Sequence, residues 1–308
     1  MTAPATAAPR RRWRMGEETR WALLFLSPWI IGFLVFTAGP MIASFVLSFT
    51  EYNVIRPPEP VGLQNYERLT TDRRIGSSLA NTAFYAALHV PGVIIFSLAL
   101  AMLLLRVGRA AGFFRTVFYL PAVTPAVAVG TLFLLILSGN GLLNQVLGVF
   151  GAQPRWLTDP DWVKPGIVIM SLWSLGSTVV IYFAALRNVP TELYEAAELD
   201  GAGAWSRFRH ITVPFISGAI FFTVIVNTIA SLQIFAEVYA MFFGATGSSS
   251  AQSSALFYSI YLFQKAFRDF EFGYASAMAW LLFVIILVIT VIQVRVSKRF
   301  VYYAGDDR

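Results

Sequence analysis

The sequence predicts an all-α, polytopic membrane protein with six transmembrane helices and one cytoplasmic helix–turn–helix projection, and three observations predict it. Of 308 residues, 57% are hydrophobic and only 13% are charged, whereas a soluble domain carries about 25% charged residues. The remaining charges gather in short segments between long uncharged runs. One segment, "EAAELDGAGAWSRFRHITVP" (195–214), concentrates carboxylates, arginines and glycines between two apolar runs.

A bilayer core needs about 20 apolar residues per helix. Runs of that kind cover 21–50, 75–105, 116–154, 165–186, 210–236 and 272–294. The third is too long for one helix. A span over 116–137 is expected, followed by a loop, "SGNGLLNQVLGVFGAQP", whose glycines and asparagines break the helix. The uncharged run 238–264 contains "GATGSSSAQSS", and so polar a middle does not cross lipid unshielded. Pro28 and Pro40 in the first span, and Pro121 and Pro125 in the third, each remove a backbone donor and predict kinks. In "GYASAMA", Gly273 and Ala277, and also Ala275 and Ala279, have the small-xxx-small spacing that lets helices approach closely.

Direction follows from the basic residues of the connections. With the N-terminus inside, 15 of the 23 Lys and Arg residues are cytoplasmic and eight are outside. Both termini are then cytoplasmic, as is the 195–214 segment. The domain plan is a basic tail (1–20), a transmembrane domain (21–300) and a short C-terminal tail (301–308). The first apolar run far exceeds the core of a cleaved signal peptide. The net charge of +6 is explained by this topology, and no nucleic-acid partner is expected.

Catalytic and cofactor chemistry is not apparent. The chain has no cysteine, which excludes disulfides and thiolate metal sites. His89 and His210 fall on opposite sides of a span, and His89 reads as a packed, hydrogen-bonded residue. No lysine follows a glycine, so a phosphate-binding P-loop is excluded. The carboxylates of "DPD" (Asp159, Asp161) and "RDFE" (Asp269, Glu271) read as solvated faces. No metal or cofactor site is expected in this chain.

The polar segment reads as two short helices. Residues 190–199 form the first, with proline and Glu192 and Glu195 suited to its positive end. Leu193, Ala196 and Ala197 share one shallow face. Asp200 and Gly201 end it, with Gly201 suited to a left-handed position. A second amphipathic piece sets Trp205, Phe208 and Ile211 opposite Arg207 and Arg209, and Pro214 opens the fifth span. Taken alone, this segment also fits an interfacial loop lying on anionic headgroups.

"EAA", three residues, "G", nine residues and "I-x-V-P" together resemble the coupling loop of bacterial ABC-importer permeases, EAA-x3-G-x9-I-x-L-P. Glu195, Ala196, Ala197, Gly201, Ile211 and Pro214 fall in register, and Val213 replaces leucine. "VGLQNYERL", "NTAFY", "FRTVFYLP", "GLLN", "RWLTDPD" and "FGYASAM" resemble the carbohydrate-uptake permeases of the maltose/glycerol-phosphate type. "GATGSSSAQSS" stands where that family usually has a Gly-Gly-Pro turn. The resemblance implies a sugar-importer permease subunit in the bacterial cytoplasmic (inner) membrane. It implies a second homologous permease, an ATPase homodimer that holds ATP and Mg, and an extracytoplasmic substrate-binding protein. The bracket, Asp200 included, would be the handle inserted into the ATPase.

Polar groups inside a span are candidate path residues. Ser171, Ser174 and Thr178 recur at i, i+3, i+7 with Trp173 and Tyr182 nearby. Asn227 pairs with Ser231, and Gln233 with Glu237. Amides, a carboxylate and aromatic faces suit a sugar, with Trp173 or Tyr182 as stacking surfaces. The other reading of Glu237 is an ion pair with the second permease or contact with exterior water. Uptake of glycerol-3-phosphate or a related phosphodiester is the alternative within the family. None of the 23 Lys and Arg residues lies inside an expected span, which favours a neutral sugar. A membrane-embedded transferase lacks its constellation here, and a scaffold would leave nutrient uptake unchanged on deletion.

Overall fold

The computed structural model describes residues 17–244 and 249–298. Most of the expected basic tail, the C-terminal tail and part of the "GATGSSS" segment lie outside the described residues. Helix α1 (Glu17–Phe33) continues through a π turn (Leu34–Ala38) into α2 (Gly39–Leu47). Pro40 lies just past this π turn, in a helix that runs on without a break, so its missing donor leaves a carbonyl of the preceding turn without its helical partner. A two-stranded hairpin follows, β1 (Thr50–Glu51) against β2 (Glu59–Pro60), with Thr50 opposite Pro60. Then come α3 (Gln64–Thr71) and the 34-residue α4 (Arg73–Arg106). The Asp72 side chain caps α4 by accepting from the Arg74 N–H at 2.9 Å, satisfying one of the free donors of a helix start.

Helices α5 (Ala111–Tyr119) and α6 (Ala126–Ile136) follow. The third apolar run is therefore not one straight span: Ala111–Val123 and Ala126–Ile136 meet at 99°. The cause is local. Thr124, which precedes Pro125, has ψ 134°, the extended conformation that a following proline imposes. The expected loop after it contains a helix of its own, α7 (Leu142–Gly148). The fourth run is also bent, by 51°, between α8 (Pro160–Leu172) and α9 (Gly176–Arg187). Here Gly176 presses on the Phe118 carbonyl so closely that a Cβ would collide with it.

The polar segment forms α10 (Thr191–Leu199), α11 (Ala204–Arg207), a π turn (Phe208–Thr212) and α12 (Val213–Phe215). The fifth span is α13 (Ser217–Leu232) plus α14 (Ala236–Phe242). It starts later than the hydrophobic run suggests and runs further, with an interruption at residues 233–235. Short helices α15 (Ser249–Ser254) and α16 (Tyr258–Phe263) precede the last span, α17 (Phe272–Ser297). Among the described residues, four units are long and apolar enough to span, the interrupted fifth span included, and six spans result only when each bent pair counts as one.

Helix α4 is the hub, packing on α8, α9, α13 and α16. One core joins Tyr85, Phe133, Ile167, Met170, Val238 and Ile260. A second joins Leu98, Ala101, Val179, Tyr182, Phe183 and Ile216. The small-xxx-small stripe of α17 does what its spacing predicts: Gly273 abuts the Thr50 carbonyl, and Ala275 and Ala277 are buried. By contrast, no residue in the apolar window of Arg20–Leu47 is buried within the chain.

The "RDFE" carboxylates are not simply solvated. Arg68 pairs with Glu271 at 2.7 Å and Lys265 with Asp269 at 2.9 Å. Beside them, Asp72 accepts from the hydroxyls of Tyr261 at 2.5 Å and Tyr274 at 2.9 Å. This network ties the start of α4 to α16 and α17. Burial alone would raise the Asp72 carboxyl, but these two hydroxyls and the Arg74 N–H outweigh it and hold the group below its ordinary range.

Candidate functional site

The interruption of the fifth span creates the site. Gln233 ends α13 with φ −111° and ψ 13°, and Phe235 has left the helical basin. Phe235 stacks on Tyr239 at 5.2 Å and meets Phe263 of α16 at 4.9 Å. One turn on, a Cβ at Gly130 of α6 would sit 2.5 Å from the Glu237 carbonyl oxygen, so α6 and α14 are in backbone contact. A cavity of about 430 Å³ opens beside this break.

Its wall unites residues far apart in sequence. Ser171, Ser174 and Thr178 face it from α8, α9 and their junction, Asn227 and Ser231 from α13, and Gln233 and Glu237 from the break and α14. The structure thus gathers most of the polar candidates of the fourth and fifth spans at one place. Gln233 and Glu237 are not successive turns of one helix, since the interruption lies between them. Trp173 and Tyr182 are outside the cavity. Trp173 is 48% exposed and meets Phe133 edge-on, while Tyr182 is fully buried and bonded to Thr223 at 2.5 Å.

The aromatic faces at the cavity are instead Tyr85 and Phe235, joined by His89. His89 is packed and hydrogen-bonded as expected, stacked on Tyr85 at 5.0 Å, and it also lines the cavity. Tyr85 and His89 are spaced i, i+4 on α4, a signal that could have paired them in sequence.

Hydrogen bonds fix the polarity of this wall. Ser231 donates its only proton to the Asn227 carbonyl at 2.6 Å. The 2.8 Å contact between Ser231 Oγ and His89 Nδ1 therefore has Nδ1–H as donor. In the neutral ring, Nε2 is left as an acceptor. The Tyr85 hydroxyl donates to Ser171, which donates to the Ile167 carbonyl. The side chains of Gln233 and Glu237 make no hydrogen bond or ion pair with the described residues.

At one end of the chain's helical bundle is the bracket. Gly201 has φ +76°. Its N–H bonds the Glu198 carbonyl at 3.0 Å, and the Ala202 N–H bonds that of Ala197 at 2.8 Å. These are the paired bonds of a Schellman C-cap, which needs a left-handed residue at this position. An Arg207–Glu198 ion pair at 3.1 Å and a Tyr194–Thr212 bond at 2.9 Å cross-link the two arms. Glu195, Ala196, Asp200 and Gly201 are exposed, while Ala197, Ile211 and Pro214 are half-buried. Leu199 is 90% and Trp205 71% exposed at the knuckle.

Residues 93–302 match the family model described as the binding-protein-dependent transport system inner membrane component. The chain is 36% identical to the probable ABC transporter permease protein YesP of Bacillus subtilis, with 100% of each chain covered. It is 35% identical to the lactose transport system permease protein LacF of Rhizobium radiobacter, covering 92% of this chain and 94% of that one. A solved bacterial ABC transporter involved in the import of the acidic polysaccharide alginate contains a chain of like fold. That likeness has a TM-score of 0.79 at 24% identity and covers 92% of this chain and 98% of that chain.

Proposed function

The chain belongs to the binding-protein-dependent transport system inner membrane components, and we propose that within such a system it carries a sugar through the cavity beside the broken fifth span. It is a multi-pass permease subunit of an ABC importer. The pathway is shared with a second homologous permease, and substrate arrives from an extracytoplasmic binding protein. ATP and Mg are held by a separate ATPase homodimer, which grips the bracket around Glu195, Asp200 and Gly201. Both termini and the bracket face the cytoplasm.

One observation carries this reading. Polar side chains from several helices of an otherwise apolar chain converge on one cavity, and two of them, Gln233 and Glu237, make no hydrogen bond or ion pair with the described residues. Intramembrane polar groups are costly unless they serve a path or a partner. Hydroxyls and apolar ring faces of a sugar match free amide, carboxylate and aromatic groups.

The test is uptake by the complete importer, measured with radiolabelled neutral mono- and oligosaccharides. The Gln233→Ala/Glu237→Ala double variant should change the apparent affinity or the sugar preference while the second permease still co-purifies. Unchanged kinetics would remove both residues from the path. Loss of the second permease would assign them to the subunit interface.

A further inference from the structure

Resting on the reading of this cavity as a sugar path, we propose that Glu237 makes it a charge filter that admits neutral glycosides and turns away anionic ones. Among the described residues no Lys or Arg lines the cavity, and Glu237 is its one carboxylate. That carboxylate is half-buried and no cation among the described residues neutralises it. The backbone that carries it is held in place, because the Gly130 contact presses α14 at Glu237 onto α6.

The hydrogen bonds of the wall leave acceptors free that a neutral ligand can satisfy. Protons of Tyr85, Ser171, Ser231 and His89 Nδ1 are spent within the wall, and the Asn227 amide donates to the Thr223 carbonyl at 2.8 Å. What remains for a ligand includes the acceptors His89 Nε2, Asn227 Oδ1 and the Glu237 carboxylate, beside the Gln233 amide, which offers donors as well as an acceptor. A neutral polyol supplies hydroxyl donors to all three. A carboxylate or phosphate on the ligand brings acceptors and a like charge. Two like charges about 5 Å apart at an effective dielectric near 20 disfavour the anion by roughly two- to three-hundredfold.

The chain has no cysteine, so Ser174→Cys places a reporter thiol on the cavity wall of the assembled importer, with the unmodified importer as blank. Reaction rates with a cationic and an anionic methanethiosulfonate, each divided by its rate with a free thiol, read the local charge. The cationic reagent should be favoured by about tenfold or more. That preference should collapse towards one in Glu237→Gln and persist in Glu237→Asp. A preference that survives Glu237→Gln overturns the proposal. So does a preference for the anionic reagent, which would place a partner's cation in the path. Failure of both Ser174→Cys and Ser177→Cys to react overturns it too, because a dry cavity filters nothing. These reagents report charge without any sugar, so a charge filter found in an importer that takes up no sugar would sink the sugar reading alone.

Discussion

Substitution of Gly201 isolates one physical quantity. A Cβ built there meets no atom within 4 Å, so within the chain the cost of a side chain is the left-handed backbone itself. For an L-residue that cost is about 1–2 kcal/mol, and a β-branched residue stands at the upper end. Asparagine tolerates the conformation better. One to two kcal/mol changes a two-state population by a factor of about 5–30. The Schellman bonds from Gly201 and Ala202 would be lost together whenever the turn relaxes, and the Arg207–Glu198 cross-link would loosen with them. The expected order of sugar uptake is Gly201, then Asn, then Ala, then Val, with Val cutting transport by up to about thirtyfold while membrane insertion is retained. The assay is ATP-driven uptake in proteoliposomes, with co-purification of the ATPase scored in parallel. Normal uptake by Gly201→Val would refute the handle. Equal damage from Asn and Val would refute the backbone reasoning and point to a side chain striking the partner.

Two further outcomes follow from the remaining structure. Asp72 is held below its ordinary carboxylate value by Tyr261, Arg74 N–H and Tyr274, so its contribution is fully present above the unfolded value of about 3.9. That contribution is lost as pH falls through the folded value; the thermal-stability gap between the native chain and Asp72→Asn in detergent should be largest at neutral pH and close in acid. A gap that widens on acidification would contradict the sign. Reporters fused after Arg115 and Arg209 should read cytoplasm and those after Arg68 and Gln153 the exterior, and an exterior signal at Arg209 would remove the bracket from the ATPase side.

Much of this molecule is written locally in its sequence. Long uncharged runs force helices because lipid offers backbone groups no partner, and the basic residues between them set an expected direction. Gly201 was legible because a helix followed by Asp-Gly needs a left-handed residue, and the structure finds it at φ +76°. The stripe of Gly273 and Ala277 was legible because small residues mark close approach whatever the neighbour is. Periodicity also named Ser171, Ser174, Asn227, Ser231, Gln233 and Glu237, since polar groups stand out against apolar helices.

Other features were decided only by tertiary packing. Nothing in "LQIFAEVY" signals a break, for it has neither glycine nor proline. The helix parts there where Phe235 turns to Phe263 on another element and Gly130 brings α6 onto the Glu237 backbone. Gly176 is likewise an ordinary small residue until the Phe118 carbonyl is placed against it. Sequence spacing tells which residues share a face of one helix, but not what that face meets. Tyr182 therefore looked like a surface for a sugar and is instead buried on Thr223, while Tyr85 and His89 reach the cavity. A cavity is a property of several helices at once, and its membership is fixed by contacts whose partners lie more than a hundred residues apart, as His89 and Ser231 do.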